Sequence, residues 1–409
     1  MTSDRSNQDS RSPDGRSPDG RSVVRRQEAP AVTTRPLVTP LSPSVVFRAE
    51  DADALDAVYE GRAAGFSYAR EGHPNASLLA DKLAWMEGAE TGVVTASGMA
   101  AVSAVLLGLL KAGDHIVAGN QLYGRCLRLL TRELPRLGFE ATLVDASNAQ
   151  AVAAALRPET KLLLVEVVAN PTLRVADIKG IAKLARERGL VFVVDNTFTT
   201  PRGFRPFEHG ADVVVHSVTK LLAGHSDATL GFVAAKDPAH QQAITDTVVT
   251  WGFNASPFDC WLAERGLNTF DLRFERAQRN AKALAAHLRG LAGVKRVLYP
   301  GEDDHPDRDL ARDLLQGNAS HMVSFELDTD RQGVNRFLRA AANIAFAPTL
   351  GDVATTISHP LSSSHRALSE AECLKLGISE GFIRVSVGIE DIDLLKREFA
   401  TAVAAVTKS

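Results

Sequence analysis

The sequence predicts an α/β protein: a mostly parallel sheet with helices on both faces, followed by a smaller C-terminal α+β domain. Three observations predict it. Between Thr91 and Ala235, short β-branched runs alternate with helix-like stretches, the pattern of successive strand–helix–strand units. Beyond about residue 250 that alternation stops, and a long helical pattern leads into a few short strand-like runs. The chain has 409 residues, 45% apolar and 23% charged, enough for two domains with sizeable cores.

Residues 1–35 stand apart. They carry the tandem repeat RSPDGRSPDGRS (11–22), many Arg, Asp and Ser, and no aromatic residue. Such a segment buries too little apolar surface to fold alone and is expected to be a disordered tail. Asp4, Asp9, Asp14 and Asp19 argue against a transit peptide, a class poor in acids. An N-terminal arm (36–60), a large domain (61–250) and a C-terminal domain (251–409) are expected to follow.

The strands expected in the large domain are 91–96, 115–118, 141–144, 162–168, 190–195, 211–217 and 231–235. Helices are expected at Met99–Leu110, Arg125–Leu137, Ala149–Leu156 and Ile178–Arg188, where apolar residues recur at helical spacing. A long helix is expected over Pro257–Leu288, then strands MVSFEL (322–327) and FIRVSVG (382–388).

Composition excludes several function classes. The net charge of −3 offers no basic field for nucleic acid. No apolar run is long enough to span a bilayer. Cys126, Cys260 and Cys373 are too few and scattered for a disulfide framework or a metal site, so no metal is expected. A reducing, cytoplasmic setting is the default expectation.

In open α/β sheets ligands sit at the carboxyl ends of the strands, and the candidate residues fall there. Lys220 follows the buried-looking run ADVVVHS (211–217) and precedes a Gly-rich loop. Burial lowers a lysine's pKa and makes a nucleophilic amine that condenses with carbonyl compounds, pyridoxal phosphate (PLP) among them. An ordinary surface lysine after a strand would look much the same. Ser217 and Thr219 flank it with hydroxyls suited to a phosphate. Ser97-Gly98-Met99 marks a strand-to-helix turn whose free N–H groups also suit a phosphate. Tyr123 stands where it could stack on an aromatic ligand or transfer a proton, or simply pack. Asn170 opens a loop in an Asn-Pro pair. Asp195 ends a strand and could pair with a pyridinium nitrogen, cap a helix or serve as a metal ligand. Arg384 lies inside an apolar strand run, where its fork needs a carboxylate or a structural partner.

Together these residues resemble the Cys/Met-metabolism PLP-dependent enzymes, a trans-sulfuration family that includes methionine γ-lyase, cystathionine γ-lyase and cystathionine γ-synthase. Eight motifs carry the resemblance in order from about Thr39 onward: YAREGHP (68–74), ASGMAA (96–101), YG (123–124), NPTLRVADI (170–178), VVDNTFTTP (193–201), SVTKLLAGHSD (217–227), TLGDVATTISHP (349–360) and IRVSVGIEDIDLL (383–395). The resemblance implies the type I PLP-dependent transferase fold, aspartate-aminotransferase-like, with 61–250 as the PLP-binding domain.

It also implies roles. Lys220 holds PLP and later moves protons. Asp195 pairs with the ring nitrogen, and Tyr123 stacks on the ring and acts as acid or base. Ser97, Gly98 and Met99 cradle the phosphate with Ser217 and Thr219. Asn170 lies near the ring oxygen and the substrate, and Arg384 anchors the substrate α-carboxylate. Tyr68 and Arg70 reach the phosphate of a neighbouring subunit, which implies a dimer with shared sites and a tetramer of two dimers. The reaction implied is γ-elimination on a methionine- or cystathionine-type amino acid; the alternative is γ-replacement, as in cystathionine γ-synthase or O-acylhomoserine sulfhydrylase. A catalytically silent protein of the same fold is disfavoured by the complete set of Lys220, Asp195, Tyr123 and Arg384. A Rossmann protein is disfavoured because no G-x-G-x-x-G follows the first strand.

Two departures from the family pattern stand out. The Tyr-x-Arg motif continues to His73-Pro74 where the family usually has Asn-Pro. Pro348 and Thr349 stand where cystathionine-specific members often carry Glu-Ser. Thr349 is a candidate hydroxyl for the substrate carboxylate.

Overall fold

The computed structural model describes residues 33–366 and 368–406. Nearly all of the expected tail therefore lies outside the described residues. Residues 33–40 form no helix or strand. The chain from Leu41 onward forms one compact unit.

That unit holds two sheets. The first has seven strands: β1 (Val93–Thr95), β2 (His115–Gly119), β3 (Glu140–Val144), β4 (Thr160–Glu166), β5 (Val191–Asp195), β6 (Val213–Ser217) and β7 (Gly231–Ala235). Their order is β1-β7-β6-β5-β4-β2-β3. The pairs among β2 to β6 are parallel, and β7 runs antiparallel to both its neighbours. All seven expected strands are present: three are trimmed at their ends, 115–118 and 141–144 each gain a residue, 162–168 begins and ends two residues earlier, and 231–235 is unchanged.

Alternation along these strands builds two cores. Leu163, Val165, Phe192, Val194, Val214 and Phe232 face one layer. Leu162, Leu164, Val193, Val213, Val215 and Val233 face the other. Helices Pro74–Glu87 and Ile178–Arg188 add Leu79, Leu83, Ile178 and Ile181 to the first layer. Helices Gly98–Leu109 and Pro238–Trp251 add Val102, Val105, Ile244 and Val248 to the second. Both faces of a parallel sheet are thus covered, which accounts for its continuous apolar runs.

The second sheet contains β8 (Val294–Leu298), β9 (Met322–Leu327), β10 (Ala345–Phe346), β11 (Thr356–Ser358) and β12 (Phe382–Ser386). Their order is β10-β11-β12-β9-β8. Helices Phe270–Arg289 and Ile392–Ala404 pack on it through Leu284, Leu288, Leu395 and Phe399.

Two expected helices are broken. Arg125–Leu137 is helical only to Arg128, continues as a π turn over Leu129–Glu133, and ends as a 3₁₀ turn over Leu134–Leu137. Pro135 has no N–H to continue the ladder. Pro257–Leu288 is two helices, Pro257–Leu267 and Phe270–Arg289. Gly266 and Asn268 are poor helix formers, and Thr269 leaves the helical region with ψ near 7°. A Cβ at Gly266 would overlap the Ala223 carbonyl, so tertiary packing fixes the glycine there.

His73 caps helix Pro74–Glu87. Its Nδ1 accepts the Ala76 N–H at 3.2 Å, and its Nε2 donates to the Ala255 carbonyl at 3.1 Å. Burial lowers its pKa. Among the described residues, no helix is long and apolar enough to cross a membrane.

Candidate active site

One cavity of about 240 Å³ collects most of the candidate residues. Ser97, Gly98, Met99, Tyr123, Asn170, Asp195, Ser217, Thr219, Lys220, Thr349 and Arg384 all line it. The parallel register explains the convergence: β4, β5 and β6 end side by side at Glu166, Asp195 and Ser217. Tyr68 and Arg70 lie elsewhere, against a surface groove bordered by Leu41, Val45 and Phe258. There the Arg70 guanidinium sits 5.1 Å from the centroid of the Tyr68 ring.

Lys220 sits in the turn after β6, where its N–H bonds to the Ser217 carbonyl at 3.2 Å. Burial, aided by the Arg384 cation, lowers its pKa below the ordinary 10.5. That favours a neutral amine, the form that attacks a carbonyl.

Arg384 is the middle residue of β12, only 4% exposed. It donates from Nη1 to Asn170 Oδ1 at 2.8 Å and from Nη2 to the Thr349 carbonyl at 2.7 Å. Its Nε–H is buried with no partner. Among the described residues no carboxylate pairs with it, and burial lowers its pKa to about 10. A buried guanidinium held by neutral acceptors, with a donor left over, is a ready carboxylate site. Thr349 enters this arrangement through its main-chain oxygen.

Asp195 opens to the cavity and is enclosed by protein on its other sides. Its Oδ1 accepts the Thr197 N–H at 2.9 Å. Burial raises its pKa, with Thr197 and His216 pulling the other way. Glu166 is its register partner on β4. Burial, and then the charge of Asp195, push Glu166 well above the usual carboxylate range. Glu166 accepts the Tyr123 N–H at 2.6 Å and the Asn170 N–H at 3.2 Å. Beneath Asn196, the buried Glu87 carboxylate accepts from the Asn196 amide at 2.8 Å and contacts the His216 ring.

The Ser97 hydroxyl accepts the Ala100 N–H at 3.1 Å and caps helix Gly98–Leu109. The N–H groups of Gly98 and Met99 have no partner within that helix, as its geometry requires. A Cβ at Gly98 would lie 2.7 Å from Ser217 Cβ, so a hydrogen there keeps the cradle open. The Thr219 hydroxyl accepts the Leu230 N–H at 2.9 Å and donates to the Leu230 carbonyl at 3.1 Å.

Sequence reasoning missed Glu166, Thr197 and Cys126, which also line the cavity. Thr197 was legible, since a hydroxyl two residues past a strand-end aspartate is a common turn signal. Cys126 lies 3.7 Å from the Met99 sulfur, and burial raises its pKa far from a reactive thiolate. Among the described residues no cluster of His, Cys, Asp or Glu is arranged to hold a metal ion.

Comparison with known proteins decides between the readings of this cavity. Residues 21–404 match the family described as Cys/Met metabolism PLP-dependent enzyme. The chain belongs to that family. It is 38% identical to cystathionine beta-lyase of Bacillus subtilis over 341 residues, 83% of this chain and 87% of that one. It is also 38% identical to L-methionine gamma-lyase of Porphyromonas gingivalis over 359 residues, 87% and 90% of the two chains. The solved structure of cystathionine gamma synthase from Xanthomonas oryzae pv. oryzae, with aminoacrylate and cysteine, superposes with a TM-score of 0.85. It has 34% identity over 90% of this chain and 93% of that one.

The family member described here is thus a PLP-dependent trans-sulfuration enzyme, a lyase or a transferase, with the type I fold. The cavity fits the cofactor on its own terms. It offers an amine with lowered pKa, a strand-end carboxylate, a helix N-terminus kept open by a glycine, and a buried guanidinium with a spare donor.

Proposed function

We propose that this enzyme is a carbon–sulfur lyase of the γ-elimination type. Its substrates are methionine- or cystathionine-like amino acids, and its products are 2-oxobutanoate, ammonia and a thiol. The observation that carries the amino-acid substrate of this reading is the unpaired donor of Arg384 in the same cavity as the Lys220 amine. A substrate α-carboxylate on Arg384 would be fixed within reach of a base.

PLP, when bound, supplies an electron sink that lets a proton leave the substrate α-carbon. The chain's residues do the rest. Lys220 would hold the cofactor, and its amine would take the α-proton. Asp195 keeps a proton on the ring nitrogen. Gly98, Met99, Ser97, Ser217 and Thr219 hold the phosphate. Asn170 shares its oxygen with Arg384 and so orients the anchor. Tyr123 moves a proton at the γ-substituent.

The substrate's far end favours elimination from a neutral thioether. Among the described residues, Lys220 and Arg384 are the cations that line the cavity. The wall at Pro348-Thr349-Leu350 carries no acid for a distal ammonium group, which supports a methionine-type substrate within this reading. The second reading is γ-replacement, as in a cystathionine γ-synthase or an O-acylhomoserine sulfhydrylase. It uses the same residues, and a structurally similar relative is a synthase.

In this reading residues 61–250 hold the cofactor and 251–409 bring the carboxylate anchor. Tyr68 and Arg70 act in the cavity of a second copy. The working enzyme is a dimer with shared sites, paired again into a tetramer, in the cytoplasm.

The deciding experiment incubates the yellow holoenzyme with L-methionine, L-cystathionine and O-acylhomoserine, the last with and without a thiol. Release of 2-oxobutanoate and a thiol from methionine or cystathionine is expected. Turnover of acylhomoserine alone, diverted to a thioether by added thiol, would establish the transferase instead. Lys220→Ala should lose both the visible absorption and turnover.

A further inference from the structure

The turn that carries Lys220 is gripped from behind by Arg273. This residue lies near the start of helix Phe270–Arg289 and is 4% exposed. Its Nη1 donates to the Leu221 carbonyl at 2.6 Å, and its Nη2 to the Leu222 carbonyl at 3.0 Å and the Gly266 carbonyl at 2.8 Å. Its Nε donates to Thr269 Oγ1 at 3.1 Å. All four acceptors are uncharged. Among the described residues no carboxylate forms an ion pair with it, and burial lowers its pKa to about 10. The three carbonyl bonds, helped at longer range by the Asp352 charge, offset the burial of this cation.

The geometry is specific to the lysine. Leu221 and Leu222 are the first two residues after Lys220. One planar fork therefore fixes two successive peptide planes next to the reacting side chain. The chain closes around that fork: Gly224 has φ +79°, and a Cβ there would overlap Arg273 Nη1. From another side Gly351, with φ +81°, comes so close that a Cβ would overlap the Leu221 nitrogen and lie 2.8 Å from the Lys220 carbonyl carbon. Packing alone limits how far the turn can shift; Arg273 supplies directed bonds that set its rotation.

We propose that Arg273 is a positioning residue for Lys220, setting the backbone orientation from which the lysine amine reaches the cofactor and the substrate α-carbon. The inference rests on Lys220 being the reacting amine, as proposed above. It requires a guanidinium. A lysine at position 273 keeps the charge but offers a point donor, which cannot hold two carbonyls in one plane. A misplacement of about 1 Å at a reacting group can slow a reaction by roughly 10²-fold.

The test compares Arg273→Lys, Arg273→Met and Thr269→Val with the parent enzyme. Thr269→Val removes the Nε partner and leaves the carbonyl clamp intact. Three quantities are read: the thermal midpoint, the rate at which cofactor-free protein acquires the visible absorption of lysine-bound PLP, and kcat and KM. Arg273→Lys is expected to fold and bind PLP, but to take it up about tenfold more slowly and to lose roughly 10- to 100-fold in kcat with KM nearly unchanged. Thr269→Val should match the parent in uptake and kcat. Parental uptake and kcat in Arg273→Lys would overturn the proposal. So would a lower thermal midpoint with parental uptake per folded molecule, since that is structural support alone. Should Arg273→Met fail to fold, Arg273→Lys still decides. Uptake is trapped by borohydride and located at residue 220 by peptide mapping. PLP trapped at another lysine would sink the reading of Lys220 and be told apart from a failure of Arg273.

Discussion

Arg384 Nη1 and Asn170 Oδ1 lie 2.8 Å apart across a sequence separation of 214 residues. The bond ties the loop after β4 to the central region of the second sheet. It leaves the Nε of Arg384 buried and unused. Removing the fork removes the carboxylate partner. Arg384→Met should cut kcat/KM by roughly 30- to 1,000-fold, the equivalent of about 2–4 kcal/mol for a desolvated charged pair. Most of the loss should fall on KM. Steady-state kinetics with methionine check this, and an unchanged KM would show that the substrate carboxylate binds elsewhere.

The same substitution should move the titration of Lys220. Burial lowers that amine's pKa first, and the Arg384 charge lowers it further. A neighbouring cation disfavours a second positive charge, so its removal favours the ammonium form. The pH at which cofactor-free protein takes up PLP at half its maximal rate should lie below 10.5 in the parent. It should rise in Arg384→Met. A downward move would mean that Arg384 does not act on Lys220 through charge.

Glu166 and Asp195 face each other as register partners at the ends of β4 and β5. Both have raised pKa values. The folded, cofactor-free protein therefore holds protons that the unfolded chain has already released. That contribution to stability is full at acid pH and is lost as pH rises through the raised values. Glu166→Gln relieves the pair of one charge. Its thermal midpoint relative to the parent should climb as pH increases from about 5 to 8. A difference that stays flat with pH would show that the two carboxyls do not share this burden.

Gly98 is a cradle position with no space for a side chain. Gly98→Ala places a methyl 2.7 Å from Ser217 Cβ. The clash should cost about 1–3 kcal/mol, shared between stability and cofactor affinity. The expected readout is a PLP dissociation constant at least tenfold weaker, measured by fluorescence titration of cofactor-free protein. Parental affinity would mean that the phosphate does not rest at this helix start.

Tyr68 and Arg70 stand outside the cavity of their own chain. If they serve a second copy, two inactive variants should complement. Arg70→Ala and Lys220→Ala, each refolded alone, should show little activity. Refolded together in equal amounts, they should recover about one quarter of parental activity, because half of the dimers are mixed and each mixed dimer has one intact site. No recovery would assign Arg70 to its own subunit or to a structural role.

Much of the site was legible because parallel sheets place ligands at strand ends. Asp195, Ser217 and Lys220 each follow a short β-branched run, and the fold brings those run ends together. Arg384 was legible as a charge inside an apolar strand. Glu166 was not: it sits within LLLVEVV, and its hydrogen bonds go to the main chain of residues 123 and 170, which no local pattern marks. Arg273 was hidden for a similar reason. It occupies a helix dense in charged residues, FDLRFERAQRN, where one inward-facing arginine looks like its solvated neighbours. The break at 266–269 depends on the approach of Ala223, also a tertiary fact.

The histidine at position 73 gives this enzyme an acid limit of its own. The ring bridges the start of helix Pro74–Glu87 and the Ala255 carbonyl only while it is neutral. A second proton would set two N–H groups against each other at Ala76. Because burial lowers the ring's pKa from 6.5, its share of stability begins to fail as pH drops below that ordinary value. The failure is complete once pH passes the lowered one. An asparagine at this position would cap the helix at any pH but is too short to serve both partners. Position 73 therefore trades acid tolerance for a tie between helix Pro74–Glu87 and the connection between helices Pro238–Trp251 and Pro257–Leu267.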